Sequence, residues 1–243
     1  MEKLSPLFFG WEIEGMKKLA LVVFATSFLI FLPFLFPGLT RNTTHDPEKN
    51  LPWQIDATNE GNSRVFGLVL GSAKLEDALA VLGPDIELAI VAAPGESGQV
   101  EGFYATVQLG FVQAKAIFTV DLSKEVVSDL WQRAPKAEFT ESGSRKIHIA
   151  RSDKDLVLRA PIASIAIIPT VNLDEVVIAE RFGVPEQKIT VDQQRVHWLY
   201  PAKGLDILID RERKELLQYV PPRNFELLRQ PLLKQVGAVS DRK

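Results

Sequence analysis

A long uncharged segment near the N-terminus constrains this chain more than any other feature. The 22 residues from Leu19 to Thr40 contain no charged side chain and lie between Lys18 and Arg41. As a helix they extend about 33 Å at roughly 1.5 Å per residue, enough to cross the ~30 Å hydrocarbon core of a bilayer. The segment is apolar on every face, which argues against an amphipathic helix lying on the membrane surface. We therefore predict a single transmembrane helix at residues 19–40.

A cleaved signal peptide is the alternative explanation of this segment. Signal peptides have a shorter apolar region, of about 7 to 15 residues, followed by a cleavage site with small residues. Here the apolar run is longer and ends in Phe36-Pro37-Gly38-Leu39-Thr40, which favours an uncleaved anchor. Because the chain contains no cysteine, attachment as a lipoprotein through an N-terminal Cys is excluded.

The basic residues on the two sides of the segment predict its orientation. Lys3, Lys17 and Lys18 precede it, whereas Arg41 and Lys49 follow it. Since the more positive flank stays in the cytoplasm, this distribution favours a cytoplasmic N-terminus. We expect the bulk of the chain to lie in the periplasm, anchored by one span in a bacterial inner membrane.

Beyond the apolar segment, the composition predicts a linker followed by folded chain. Residues 41–61 are rich in Asn, Thr, Asp, Glu and Pro and have no sustained periodicity, which is typical of a linker. The remaining residues, about 180, are enough for one large core or two small ones. The predicted organisation is a cytoplasmic flank at 1–18, a transmembrane helix at 19–40, a linker at 41–61, a first α+β unit at 62–140, and a second α+β unit at 141–243 with a C-terminal amphipathic segment.

Alternation of apolar and polar residues predicts antiparallel β-meander sheets with packed helices, an α+β fold. Between Val112 and Leu122 the even-numbered residues are apolar and the odd-numbered ones are mostly polar, which indicates one buried and one wetted sheet face. The other expected elements include a helix at Ala73–Leu82 capped by Ser72, a helix at Lys124–Ala134 capped by Ser123, and a strand at Leu156–Arg159.

Two portions of the chain share a pattern. Each has a strand, a polar cap, Leu followed by two acids, an apolar helix face, and then an apolar residue with Gly and a nearby Pro. The first portion includes Leu75-Glu76-Asp77 and ends at Gly83; the second includes Leu173-Asp174-Glu175 and ends at Gly183, 100 residues later. The simplest interpretation is a duplicated helix-plus-meander unit, with each helix on one face of its own sheet. A chance similarity of two unrelated portions is the alternative.

The region from Leu173 to Val220 resembles a known fold. Its helix ends in apolar-Gly-x-Pro, and Trp198-Leu199-Tyr200, a strand at Gly204 to Asp210, a polar turn and a final strand follow. This arrangement resembles the small outer-membrane-assembly lipoproteins of the SmpA/OmlA type and the tandem fold of β-lactamase-inhibitor protein. Those proteins are non-enzymatic binding or scaffolding modules, so the resemblance implies protein–protein recognition. The chain departs from the lipoproteins in having a membrane helix where they have a lipidated Cys.

The sequence offers no motif for catalysis, cofactor binding or metal binding. His45, His148 and His197 are not spaced as metal ligands, and the last two lie in alternating stretches where a wetted or hydrogen-bonded strand position is the usual role. The segment Gly67 to Lys74 lacks the Gly-Lys-Ser/Thr ending of a phosphate loop. Asp206 ends a strand next to a turn, where a solvated carboxylate is expected. We expect no enzyme activity, no cofactor and no metal.

The charge distribution argues against a nucleic-acid partner. The formal net charge is −3, and basic and acidic residues are interspersed rather than clustered. Nucleic-acid binding requires a clustered basic face, which this chain lacks.

Aromatic and apolar residues near the C-terminus form the candidate partner-binding site. Trp and Tyr are enriched in interaction hot spots, and a sheet face that carries them is suited to recognising another protein. The same residues would equally serve as ordinary core under the C-terminal segment, and individual residues can serve each role. The candidates are Trp198, Tyr200, Leu205 and Tyr219.

These patterns predict a membrane-anchored, periplasmic, non-enzymatic protein-binding module. Such a module would act as an accessory subunit or an assembly factor of a membrane complex in the cell envelope. The alternative is a carrier or sensor of a hydrophobic ligand such as lipid, with its cavity between helix and sheet. A third class, an envelope hydrolase, requires titratable residues clustered in one cleft.

Overall fold

The computed structural model describes residues 48–58, 60–140 and 143–240. These described residues belong to one compact unit. The predicted cytoplasmic flank, the predicted transmembrane helix and His45 lie outside the described residues. Among the described helices, none has the length and hydropathy of a membrane span.

The described residues form two antiparallel sheets and five α-helices, which confirms the mixed α+β class. The small sheet has the strands β1 (Ile55–Ala57), β2 (Ser63–Val65) and β3 (Leu68–Val69). The large sheet has the strands β4 (Glu87–Ala92), β5 (Gln99–Leu109), β6 (Val112–Val120), β7 (Ala137–Phe139), β8 (Arg145–His148), β9 (Ile162–Pro169), β10 (Gln187–Thr190), β11 (Arg195–Tyr200), β12 (Leu205–Asp210) and β13 (Leu216–Tyr219). The helices are α1 (Leu75–Leu82), α2 (Lys124–Gln132), α3 (Lys154–Leu158), α4 (Glu175–Phe182) and α5 (Glu226–Ser240).

The ten strands of the large sheet run in the order β10-β11-β12-β13-β9-β6-β5-β4-β8-β7. Strand β9 pairs with β13 on one side and with β6 on the other, so it joins the two halves of the sheet. The boundary predicted between residues 140 and 141 falls between β7 and β8, a pair that extends the sheet beyond β4. The two predicted α+β units therefore share one continuous sheet.

The predicted helix caps had mixed outcomes. The Ser123 hydroxyl accepts a hydrogen bond from the Val126 backbone N–H at 3.4 Å, which confirms that Ser123 caps α2. The predicted Ser72 cap is wrong, because the Ser72 hydroxyl donates to the Val69 carbonyl instead. Helix α1 begins after Lys74, whose backbone N–H donates to the carboxylate of Asp77 at 2.8 Å.

The strand predicted at Leu156–Arg159 is wrong, since most of this segment belongs to α3. Val157 is its one fully buried side chain, while Leu156 is exposed. A single buried position in four residues fits one turn of helix as well as a strand, so the alternation was too short to distinguish the two.

The predicted linker extends too far into the chain. Leu51 is buried, and the Pro52 carbonyl accepts a hydrogen bond from the buried Tyr219 hydroxyl at 2.9 Å. Strand β1 then pairs with β2. Residues 51–57 therefore belong to the folded unit, and Trp53 and Ile55 pack against its main core.

The two portions that share a sequence pattern also match in structure. Helices α1 and α4 begin and end 100 residues apart, and so do the first residues of the strands that follow them, β4 and β10. Tyr104 in β5 donates to the Gly83 carbonyl at 2.9 Å, and Tyr200 in β11 donates to the Gly183 carbonyl at the same distance. Each helix thus ends at a glycine that is bonded to a tyrosine in the second strand after it.

Candidate functional site

The four predicted partner-binding residues lie together, but in the core. Tyr200, Leu205 and Tyr219 are side by side across β11, β12 and β13, and Trp198 lies two residues before Tyr200 on the same face. All four are buried, and they pack with Ile178 and Phe182 of α4 among other residues of the main core. Core packing, the alternative left open by the sequence, accounts for their positions. Burial gives no support for an exposed surface formed by these four side chains.

The opposite face of the large sheet is covered at one end by α5. Ile189 and Leu199, on β10 and β11, form a second buried cluster with Val220 and Phe225. Three apolar residues of α5 pack against this cluster at four-residue spacing, as expected for one face of a helix. They are Leu228, Leu232 and Val236. This end of the sheet therefore shows how a helix lies on the face opposite the main core.

The corresponding positions at the other end of the sheet line an open depression. Phe103 directly precedes Tyr104, as Leu199 precedes Tyr200, and Ala89 follows Gly83 by six residues, as Ile189 follows Gly183. The depression has a volume of about 220 Å³, and Phe103 in it is partly exposed. We call this depression the open-face site. It is lined by Glu87, Ala89, Val91, Glu101, Phe103, Ile117 and Lys146.

Glu101 is the distinctive charge of the open-face site. Burial among apolar neighbours raises the pKa of its carboxyl group. Lys146, the cation in the lining of the site, already has a partner, because its ammonium lies 2.8 Å from the carboxylate of Glu87. In the described part of the chain, the Glu101 carboxylate has no hydrogen-bond or ion-pair partner. The site therefore combines an apolar floor with one uncompensated acid.

A network of charged residues borders the open-face site. The His148 imidazole lies 2.9 Å from the carboxylate of Glu138, and Lys136 lies at the same distance from it. Hydrogen bonds from Lys136 and from His148 lower the pKa of Glu138. As expected from the sequence, His148 occupies a hydrogen-bonded strand position.

Asp206 forms a buried imidazole–carboxylate pair with His197 that the sequence patterns did not predict. Asp206 was expected to be solvated, but it is 1% exposed and lies 2.8 Å from Nδ1 of His197. The two residues face the same side of the β11–β12 hairpin, in which His197 is paired with Leu208 and Asp206 with Leu199. Working out the hairpin register from the turn at Pro201 to Gly204 would have revealed the pair.

This imidazole–carboxylate pair is not assembled into a catalytic triad. Asp206 orients the His197 ring through Nδ1, as the carboxylate does in a triad. Within the described ranges, however, no hydroxyl group is hydrogen-bonded to Nε2 of His197, so no nucleophile completes the arrangement. Nor do the described residues include a group of three or more His, Asp or Glu side chains placed to hold a metal ion.

Comparison with known proteins found no matching family model, no matching curated protein and no matching solved structure. The resemblance to the SmpA/OmlA-type lipoproteins and to β-lactamase-inhibitor protein therefore stays a prediction.

Proposed function

We propose that this chain is a non-enzymatic protein-binding module of the bacterial cell envelope, anchored in the inner membrane by residues 19–40 with its folded unit in the periplasm. It would serve a membrane complex as an accessory subunit or an assembly factor. The open-face site is the proposed contact with the partner.

The difference between the two ends of the sheet carries this proposal. At one end, α5 covers Leu199 and Ile189. At the other end, Phe103 and Ala89 occupy the corresponding positions and line an open depression instead. The matching helices, glycines and tyrosines support a duplicated helix-plus-meander unit. Among the described residues, a helix of the chain covers the outer face of the second copy but not that of the first.

The chemistry of the open-face site defines the partner it fits. The partner is an amphipathic helix that lies on Phe103 and Ile117 much as α5 lies on Leu199. A Lys or Arg side chain of that helix would pair with Glu101, whose carboxylate is partly desolvated already. Such a pair contributes specificity, since a partner that lacks the cation leaves an acid buried without compensation.

Co-purification of the full-length chain from its native membranes tests the proposal. After gentle detergent extraction, we expect a stable partner to accompany the unmodified chain. Glu101→Lys should abolish the association because it places like charges opposite each other. Phe139→Ala is the matched control, because Phe139 is 77% exposed on β7, outside the open-face site. A partner retained by both variants, or lost equally from both, would contradict the proposal, and so would the lack of any partner.

One observation favours a second candidate function, the transport or sensing of a hydrophobic ligand. A groove of about 410 Å³ lies beside the N-terminal turn of α5, and Leu227 in its wall is 70% exposed. This volume falls within the range of small-molecule sites, roughly 300–1,000 Å³. Native mass spectrometry of the detergent-extracted chain would reveal retained lipid, and Leu227→Asp should then remove it.

A further inference from the structure

An aromatic and basic patch lies where the chain enters the folded unit. The Trp53 ring lies 5.7 Å from that of Phe111 and 6.2 Å from that of Phe182, and the Arg181 guanidinium lies 5.0 Å from the Trp53 ring centre. Phe111 is 59% exposed at the tip of the β5–β6 hairpin, and Val184, two residues after Phe182, is 88% exposed. We call Trp53, Phe111, Arg181 and Val184 the Trp53 patch.

The Trp53 patch is close to the predicted membrane anchor along the chain. Glu48 follows Thr40, the last residue of the predicted span, by eight residues, which reach at most about 29 Å when fully extended. The side-chain amide of Gln54 donates to the Glu48 carbonyl at 2.8 Å, so Glu48 lies beside the residue that follows Trp53. The chain thus enters the folded unit next to the patch. With the proposed anchor at residues 19–40, the short connecting segment would limit the distance between this surface and the bilayer.

We propose that the Trp53 patch contacts the headgroup region of the bilayer and holds the folded unit in one orientation on the membrane surface. This inference rests on the proposed membrane anchor. Its partner is a lipid surface, and a partner protein seated on the same patch is the competing outcome.

The composition of the patch fits a membrane interface. Trp side chains are favoured at the level of the headgroups, because the ring is apolar and its N–H is polar. A phenylalanine exposed at a hairpin tip is able to enter the boundary between headgroups and acyl chains, where its apolar ring leaves water. Arg181 adds a cation beside the Trp53 ring, and this cation would pair with lipid phosphate. The patch would thus contact the lipid at two levels, the phosphate and the boundary between headgroups and acyl chains.

Site-specific fluorescence tests this contact in the intact protein. The chain has no cysteine, so a single introduced cysteine can be labelled without first removing any native one. We would reconstitute the full-length Phe111→Cys and Val184→Cys variants into vesicles of phosphatidylethanolamine and phosphatidylglycerol and label them with an NBD fluorophore. The expected result is emission shifted to the blue and quenched by lipids that carry a nitroxide near the headgroup.

Phe139→Cys is the matched control. Phe139 and Phe111 lie near opposite ends of β5. Phe139 pairs with Arg145, and Arg145 pairs with Ala92, which lies near the start of β5. Phe111 follows the end of β5. About 33 Å of strand separates the two ends of an 11-residue strand, so the label at Phe139 should stay unquenched. Because all three side chains are largely exposed, the substitutions should leave folding intact.

The outcomes separate this inference from the proposed anchor. If carbonate washing leaves the chain in the vesicles but Phe111→Cys behaves like Phe139→Cys, the anchor stands and the patch proposal is overturned. A blue shift without quenching by nitroxide lipid would mean that protein covers the patch, which also overturns it. If carbonate removes the chain from the vesicles, the proposed anchor fails first, and the patch proposal fails with it.

Discussion

Truncation of two corresponding side chains should separate partner binding from folding. Leu199 is fully buried between the sheet and α5, so Leu199→Ala removes packed methyl groups and leaves a cavity. This change should lower the free energy of unfolding by about 2–5 kcal/mol, or roughly 4–20 °C in Tm for a unit of this size. Phe103 occupies the matching position but is partly exposed, so Phe103→Ala should cost only about 1–2 kcal/mol of stability.

The order of the two effects should reverse for partner binding. Truncating an aromatic side chain at the centre of a desolvated contact costs about 2 kcal/mol or more of binding free energy, which is roughly a 30-fold increase in Kd. Phe103→Ala should therefore weaken the partner far more than Leu199→Ala does. Denaturant-induced unfolding of each full-length variant, and titration of each with the co-purified partner, provide the two measurements. If Phe103→Ala destabilises the fold as strongly as Leu199→Ala while the partner still binds normally, the assignment of the open-face site is refuted.

Three further predictions follow from single hydrogen bonds and charges. Burial raises the pKa of Glu101 above its ordinary value of 4.5, so the charged carboxylate lowers the stability of the fold at neutral pH. Glu101→Gln should therefore raise the free energy of unfolding at pH 7, and this gain should vanish below about pH 4.5. Thermal denaturation of both proteins at a series of pH values provides the measurement. Tyr104→Phe and Tyr200→Phe each remove one hydrogen bond from a hydroxyl to a glycine carbonyl, so each should lower the free energy of unfolding in denaturant by about 1 kcal/mol. Because the two residues are five strands apart, the double variant should lose the sum of the two effects. Asp206→Ala leaves the His197 imidazole without its buried partner and should cost about 1–3 kcal/mol in the same assay, whereas Asp206→Asn should retain part of the bond.

A long alternating stretch in the sequence correctly predicted a central strand of the large sheet. Val112 to Leu122 was expected to have one buried and one wetted face, and β6 follows this pattern in the structure, where Ala114, Ala116 and Phe118 are fully buried. A pattern of this length leaves little freedom in choosing the buried face. Helices α1 and α4 were also predictable, because a glycine and a proline mark the end of each.

Features that depend on contacts distant in the sequence were not predictable. The segment around Leu51 resembled a linker in the sequence. The residue that donates a hydrogen bond to the neighbouring Pro52 carbonyl is Tyr219, 167 positions later in the chain. The aromatic residues at Trp198 and Tyr200 were compatible with core or surface until α4 was placed on them. The open-face site was likewise not predictable, because the sequence does not show that α5 covers Leu199 while Phe103 stays partly exposed. Composition supplies the side chains of a site, and only tertiary packing decides which of them meet solvent.

The hydrogen bond from Tyr219 to Pro52 has a consequence for how the chain matures. These two residues are separated by 167 positions, so the first segment of the folded unit acquires its buried partner only when the last strand of the sheet has emerged from the ribosome. Pairings this distant also slow the search for the native arrangement. The N-terminal segment of the folded unit therefore cannot form its final contacts early in synthesis. Exposed strand edges must be kept from aggregating until β13 has been synthesised.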